Sequence, residues 1–232
     1  PGTDPRCARG RDGDDRAPGQ PAAIATSAPD GAPDPGRARR TDCQLCGGPP
    51  SCCGLPALGN GNLALARHFA EKNVASLSAY VDAGYDIVYS CTSCGLCLLN
   101  DYQGIMEIPR AKKIAENSYD LHEYILRLVI EKNIRPDFRA VERSVAYHIP
   151  CHLRALKIGY PAAELMKMIP GVECHILDDA CCGLSGSYGF KKTNEATAVQ
   201  LGGRAVSLIR KTDSSAIVSD CGSCRMQLGG LS

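Results

Sequence analysis

The chain has 232 residues, 14 cysteines and a formal net charge of +1, and this balance provides no electrostatic field that favours nucleic acid. No apolar run approaches the roughly 18 residues of a transmembrane helix. The chain is long enough to bury a core, and its first residues lack the apolar segment of a signal peptide, so a secreted disulfide framework is not expected. In the cytosol, clustered cysteines more often bind metal or carry redox chemistry.

Residues 1–50 differ in composition from the rest of the chain. They contain nine of the 15 prolines and eight glycines, and their only large aliphatic residues are Ile24 and Leu45. Such a segment cannot bury enough apolar surface to offset the entropy of an ordered chain. We therefore expect residues 1–50 to be a disordered or artefactual tail.

From residue 51 onward, the pattern alternates between helix and strand. Apolar residues at gaps of three and four predict a helix that ends at Gly84, and their positions are Leu63, Ala66, Ala70, Val74, Leu77 and Val81. Further helices are predicted over 119–132, within 152–169 and over 193–210, and strands over 86–90, 145–149, 174–177 and 216–220. This alternation predicts an α/β fold with a largely parallel sheet.

An internal repeat divides the chain into two halves. The sequence CCGL occurs at 52–55 and again at 181–184, and each copy is followed by a predicted helix, a β-branched strand and a CxxC pair. The CxxC begins 38 positions after the second cysteine of CCGL in the first copy and 39 positions after it in the second. We interpret residues 51–140, with a helical linker, and 141–232 as two homologous halves, each a small, mostly parallel sheet with flanking helices.

In the second half, each group of cysteines follows a predicted strand. Since ligands bind at the carboxyl ends of strands in open parallel sheets, these thiols are expected to meet in one cleft. Five thiols exceed the four ligands of a structural zinc ion and suit a multi-iron cluster. The predicted metal ligands are Cys151, Cys181, Cys182, Cys221 and Cys224. Cys174 lies inside a strand and is expected to be an ordinary buried thiol.

Other residues are predicted to support the cofactor. Gly183 and Gly186 would let the backbone bend around it and leave N–H groups directed at sulfur. His148 and His152 flank Pro150 and Cys151, and each would either hydrogen-bond sulfur or be a polar residue at a strand end. Lys191 opens a predicted helix, where a cation opposes the helix dipole, so it would face an anionic cofactor or an acidic partner, or be simply solvated.

The pattern C(29)CCG(37)CxxC, in which the bracketed numbers count intervening residues, resembles the CCG-type cysteine-rich domain family. That domain occurs in the subunit designated B of heterodisulfide reductase and in the subunit designated C of anaerobic glycerol-3-phosphate dehydrogenase. The segments 147–152, 178–192 and 218–227 are most similar to the C-terminal portion of the latter. The resemblance covers roughly residues 52–231.

The resemblance implies a [4Fe–4S] cluster, noncubane in some members, in the second half. It implies an electron-transfer subunit without its own catalysis, on the cytoplasmic face of the inner membrane, that passes electrons from flavin-containing dehydrogenase subunits toward membrane quinone, directly or indirectly. A second cluster in the first half would use Cys52, Cys53, Cys91 and Cys94.

The sequence departs from the family pattern in the first half. No cysteine lies about 30 residues before Cys52, since Cys43 is too close and Cys7 too far. Ferredoxin-like motifs are absent too, because Asp101 occupies the place of the fourth cysteine after Cys91, Cys94 and Cys97. The first site is therefore expected to be incomplete, or the N-terminal part to be missing. Two alternatives remain open, namely a disulfide-reducing subunit and a zinc-stabilised structural module.

Overall fold

A computed structural model describes residues 52–134 and 136–232, and the backbone of three two-residue strands, β1 (Ala22–Ala23), β2 (Ala25–Thr26) and β3 (Asp42–Cys43). Apart from these strands, the predicted tail over 1–50 lies outside the described residues. The described chain forms two compact units. The first contains the residues up to Ser90 and Cys94–Leu121, and the second contains Cys91–Ser93 and His122–Ser232.

The first unit is built around a parallel sheet with the strand order β1-β4-β5. A separate parallel pair joins β2 and β3. The other elements of this part of the chain are α1 (Leu55–Leu58), α2 (Leu63–Asp82), β4 (Asp86–Tyr89), α3 (Thr92–Leu96), a π-helix (Cys97–Asp101), α4 (Ala111–Glu116) and β5 (Ser118–Asp120).

Helix α2 agrees with its predicted spacing. The Asn62 side chain caps its N-terminus by accepting a hydrogen bond from the Leu65 backbone N–H. The predicted face is buried except for Leu63, and the helix ends just before Gly84, whose φ is +86°. A positive φ suits glycine and stops the helix.

The helix predicted from residue 119 starts later. Residues Ser118–Asp120 form β5, which pairs with β4 and buries Tyr119, and helix α5 then covers Leu121–Glu131. The prediction was wrong at this boundary because pairing with a neighbouring strand, which local periodicity does not reveal, decides the conformation of these three residues.

The second unit has a parallel sheet with the strand order β7-β6-β8. The α/β prediction, with two small parallel sheets flanked by helices, is thus confirmed. The elements are β6 (Arg143–His148), α6 (Cys151–Leu156), α7 (Pro161–Lys167), β7 (Val172–Leu177), α8 (Glu195–Arg210), β8 (Ala216–Val218) and α9 (Gly222–Leu231).

Two details of the second unit differ from prediction. The helix expected within 152–169 is split into α6 and α7, because Lys157 and Gly159 have φ values of +58° and +75° and interrupt the helical path. Helix α9, which follows β8 directly, was not predicted. Its sequence, GSCRMQLGGL, contains three glycines, which weaken the helical pattern.

Strand β6 separates two hydrophobic clusters, because successive side chains of a strand point to opposite faces. Ala146 belongs to a cluster that includes Cys182, Cys221 and Cys224. Its neighbour Tyr147 belongs to another, in which Cys174 is partly buried. The sheet therefore separates the thiols that follow its strands from the thiol within β7.

Candidate metal centre

The second CCGL loop is shaped by Gly183. This glycine has φ +92°, and its backbone N–H donates to Cys181 Sγ at 3.3 Å. A Cβ at this position would lie 2.2 Å from the Ala198 carbonyl oxygen of α8, a distance that no side chain tolerates. Glycine is thus required both by the backbone angle and by the close approach of α8.

Helix α8 brings a further glycine against the same loop. A Cβ on Gly202 would lie 2.7 Å from the Cys182 carbonyl oxygen. Because neither glycine carries a side chain, the loop packs directly on the helix and places Cys182 in the core, where it is 4% exposed. The neighbouring Cys181 is half-buried, so the two adjacent thiols have different environments.

Cys182 lies next to a cysteine from α9. Its Sγ is 3.2 Å from Cys224 Sγ. Hydrogen bonds donated by Cys181 and Cys224 lower the pKa of the Cys182 thiol to about 2. The same bonds raise the pKa values of the two donors. A thiolate is the form that binds metal, and the lowered pKa of Cys182 favours that form.

The other two thiols border this pair. The hydrogen bond from Cys224 lowers the pKa of Cys221 to about 6. Cys151 begins α6 and is exposed, yet partial desolvation of its thiol raises its pKa, and the charges of Cys182 and Cys221 raise it further. The structure thus brings all five predicted thiols of the second half into one neighbourhood.

A histidine that the predicted ligand set left out also lies here. His148 ends β6 and is 1% exposed. One of its ring nitrogens lies within 4.8 Å of the sulfur atoms of Cys182 and Cys224. Burial lowers the pKa of His148, which favours the neutral ring that ligates metal or hydrogen-bonds sulfur. Its place in the sequence, at a strand end just before Cys151, is the signal from which a contact with sulfur is predicted.

The short segment Cys91–Ser93 belongs to the second unit. Its backbone is fixed at Thr92, whose N–H donates to the Asp220 carbonyl oxygen at 3.5 Å. Ser93 Oγ lies 3.8 Å from Cys221 Sγ and 2.7 Å from His152 Nδ1. The sequence groups Cys91 with the first half, whereas the structure brings it close enough to Cys221 for its charge to oppose, in part, the lowering of the Cys221 pKa.

Asp220, which precedes Cys221, has a nearly buried carboxylate. Tyr147 donates its hydroxyl hydrogen to this carboxylate, and His122 Nδ1 lies 3.4 Å from Asp220 Oδ1. Such partners are needed because a buried charge without them is costly. They hold the end of β8 in place and thereby fix where Cys221 begins its turn into α9.

The first CCGL loop has the same bend. Gly54 has φ +91°, and its N–H lies 3.5 Å from Cys52 Sγ. Cys53 is buried, and its carbonyl oxygen accepts a hydrogen bond from Cys97 Sγ at 3.3 Å. Cys94 is buried nearby, and the charges of Cys97, Cys53 and Cys94 contribute to a raised pKa of Tyr102, which is caused first by burial.

Several predicted site residues lie apart from these contacts. Lys191 is exposed in a turn that precedes α8, and Gly186 has φ +64° with open space beside it. Their roles at a cofactor stay predictions. The side chains of Cys7, Cys43 and Cys46 lie outside the described residues.

The donor set of the second unit fits an iron–sulfur cluster. Cysteine sulfurs are the ligands that such clusters use, and this unit brings five of them together, with Cys182 Sγ 3.2 Å from Cys224 Sγ. The adjacent thiols of Cys181 and Cys182 can reach different metal atoms because the loop bends at Gly183. Soft thiolate ligands also suit zinc, so the donor set alone leaves both metals open.

The comparisons with known proteins bear on this choice. A relative in Escherichia coli (strain K12), the subunit designated C of anaerobic glycerol-3-phosphate dehydrogenase, is 30% identical over 76% of this chain and 44% of its own length. The subunit designated B of the fumarate reductase (CoM/CoB) of Methanothermobacter marburgensis is 29% identical over 76% of this chain and 33% of its own. The subunit designated D of the dihydromethanophenazine:CoB–CoM heterodisulfide reductase of Methanosarcina acetivorans is 23% identical over 76% of this chain and 43% of its own.

The chain therefore spans less than half the length of these relatives. The sequence profile of the cysteine-rich domain family, CCG, matches residues 43–99 and 145–229, which together make up more than half of the chain. Each matched segment contains one CCGL sequence and the CxxC that follows it. This chain belongs to the CCG cysteine-rich domain family.

Proposed function

We propose that this chain is an iron–sulfur electron-transfer subunit of an anaerobic dehydrogenase complex. The observation that carries the proposal is the meeting of five thiols at the carboxyl ends of β6, β7 and β8, with Cys182 Sγ 3.2 Å from Cys224 Sγ. The relatives named above are subunits of dehydrogenases and reductases, and another relative is named an iron–sulfur protein.

In this proposal the five cysteines of the second unit hold the cluster, with His148 beside them. When bound, the cluster supplies one-electron redox chemistry. The chain supplies the environment, because Leu184 and Leu228, 3% and 0% exposed, pack with the buried thiols and exclude water from their inner side. The exposed side of Cys151 leaves one edge of the site open to solvent or to a partner.

The finer assignment follows the relative from Escherichia coli. The electron donor would be a flavin-containing dehydrogenase subunit, and the acceptor would be membrane quinone, reached directly or through another subunit. Among the described residues, no helix has the length and apolar character needed to cross a bilayer. We place the chain peripherally on the cytoplasmic face of the membrane, attached through its partners.

Metal analysis of anaerobically purified protein tests the proposal. We expect a brown protein that contains iron and acid-labile sulfide and gives an EPR signal that changes on reduction with dithionite. The cluster form, cubane or noncubane, and the presence of a second cluster in the first unit would be read from the same spectra and the iron content. Colourless protein with stoichiometric zinc and no iron after anaerobic reconstitution would contradict the proposal and support a zinc-stabilised module.

A second candidate is disulfide reduction at the same centre, which the exposure of Cys151 beside Cys182 favours. A substrate disulfide would have access to that edge. Reconstituted protein given a reduced viologen dye and a small disulfide would release thiols if this candidate is right. An electron-transfer subunit would instead exchange electrons with dyes and release none.

A further inference from the structure

We propose that Ser93 and His152 form a hydrogen-bond relay that donates to the sulfur of Cys221 and raises the reduction potential of the cluster. This inference rests on the proposed function, because it assigns two non-cysteine residues a role toward the cluster that Cys221 would help to hold. Both are positioning residues, since they act through a ligand.

The relay joins three segments of the second unit. Ser93 lies in the first turn of α3, His152 in α6 and Cys221 at the start of α9. Ser93 Oγ is 2.7 Å from His152 Nδ1 and 3.8 Å from Cys221 Sγ, so one hydroxyl group bridges the ring and the thiol. Both the serine and the histidine are half-buried, which limits competition from water.

The position of Ser93 is fixed by its own backbone. The preceding residue, Thr92, is fully buried, and both its backbone N–H and its Oγ1 donate to the Asp220 carbonyl oxygen at 3.5 Å. Asp220 is in turn held through its carboxylate by Tyr147 and His122. The segment is therefore anchored to the residue next to Cys221, and the hydroxyl of Ser93 is held beside the thiol.

Binding of metal by Cys221 sets the direction of the relay. A metal-bound thiolate has no hydrogen to donate, so Ser93 must donate its single O–H to the sulfur. The serine oxygen can then only accept at its contact with His152, which requires that Nδ1 carry the hydrogen. The ordered relay is His152 Nδ1–H to Ser93 Oγ and Ser93 Oγ–H to Cys221 Sγ.

A hydrogen bond to a ligand sulfur changes the potential because reduction adds negative charge. The donor stabilises the more negative, reduced state more than the oxidised state and so raises the potential. Support from His152 strengthens the effect, because hydrogen bonds in a chain polarise one another.

The second unit offers a matched control. In C-T-S-C the serine is Ser93, and in C-G-S-C, at the equivalent position, it is Ser223. The Ser223 side chain takes part in no hydrogen bond in the described part of the chain. Removing its hydroxyl therefore deletes the same atom from a CxxC turn without deleting a relay.

The test measures the midpoint potential of anaerobically loaded full-length protein, wild type and four variants, by EPR-monitored titration. Ser93→Ala is expected to shift the potential to a more negative value with unchanged iron and sulfide content. Ser93→Thr keeps a hydroxyl and should therefore keep most of the wild-type potential. Ser223→Ala should leave the potential at the wild-type value. His152→Leu shifts it in the same direction as Ser93→Ala but less.

Pulsed EPR after exchange into D₂O gives a second measurement. The wild-type cluster should show coupling to an exchangeable deuteron that Ser93→Ala lacks and Ser223→Ala keeps. An iron-replete Ser93→Ala with unchanged potential and unchanged deuteron coupling overturns the relay alone. If Ser93→Ala does not load, His152→Leu decides, and a wild-type potential in that variant overturns the relay. A wild-type protein that takes up no iron overturns the proposed function and the relay with it.

Discussion

The two CCGL loops of this chain share one backbone conformation but have different surroundings. Gly54 and Gly183 have φ values of +91° and +92°, and each N–H points to the sulfur of the first cysteine of its loop, at 3.5 and 3.3 Å. The two loops nevertheless present their thiols to different partners. Similar sequence thus reproduces the bend, while the metal-binding capacity depends on what the rest of each unit brings to it.

The packing of the loops shows the difference. In the second unit, α8 approaches the loop through Gly202, so the helix backbone itself supports the Cys182 carbonyl. In the first unit, the side chain of Asn73 in α2 links the loop to Tyr102. Its Nδ2 donates to the Cys52 carbonyl oxygen at 3.0 Å and to the Tyr102 hydroxyl at 2.8 Å. The first loop is held by a polar side chain and the second by direct contact.

The cysteine that contacts the loop also differs between the two units. In the second unit a CxxC cysteine, Cys224, lies 3.2 Å from the inner cysteine of the loop. In the first unit the cysteine that hydrogen-bonds the loop is Cys97, one turn beyond its CxxC, and it is fully buried in the π-helix. A hydrogen bond with the Cys53 thiol, followed by burial, raises the pKa of Cys97 and favours its protonated form.

Glycine-to-alanine changes give the largest expected difference in stability. Gly183→Ala places a Cβ 2.2 Å from a helix carbonyl, and the positive φ adds strain, so we expect a loss of about 3 kcal/mol. Gly54→Ala meets the Ala66 carbonyl oxygen at 3.0 Å and should cost about 1–2 kcal/mol, mostly from the backbone angle. Urea unfolding followed by circular dichroism measures both.

Gly186→Ala is the control for these two changes. Its φ is +64° and nothing lies within 4 Å of its added Cβ, so the loss of stability in this variant measures the cost of the backbone angle alone. If Gly183→Ala were no more destabilising than Gly186→Ala, the close approach of α8 would not be what requires glycine in the second loop.

Asn73→Ala should weaken the first unit by about 2 kcal/mol, because it leaves a buried hydroxyl and the loop carbonyl without the amide that joins them. Asn117→Ala is the matched control. It removes an exposed amide that donates to the Lys113 carbonyl oxygen, and it should change stability by only about 0.5 kcal/mol or less. Equal effects in thermal unfolding would show that Asn73 does not hold the first loop.

The smallest effect concerns the exposed ion pairs of the first unit. Hydrogen bonds from Lys113 and Arg110 lower the pKa of Asp82 below its ordinary value of 3.8. A lowered carboxyl pKa stabilises the fold at neutral pH, and this contribution is lost as the pH falls through the folded-state pKa. Asp82→Asn should lower the melting temperature slightly at pH 7, and the difference from wild type should vanish well below pH 3.8 and shrink in high salt.

The sequence predicts the second site better than the first for a physical reason. A cysteine that directly follows a parallel strand is placed by the strand, so Cys151, Cys182 and Cys221 could be assigned to one edge from their spacing alone. Ser93 escaped assignment because its contacts with His152 and Cys221 cross between elements that no periodicity connects. The π-helix that buries Cys97 was invisible for the same reason, since its extra residue per turn is decided by packing.

In the proposed function, the second CCGL loop holds the cluster, and a cysteine-rich composition alone does not suffice. Iron content per chain in three anaerobically reconstituted variants separates these two possibilities. Cys182→Ser should lose the iron of the second unit, Cys53→Ser, its counterpart in the first loop, should keep that iron, and Cys174→Ser, across the sheet, should match wild type. Equal iron loss in Cys182→Ser and Cys174→Ser, or full iron content in Cys182→Ser, would contradict the account.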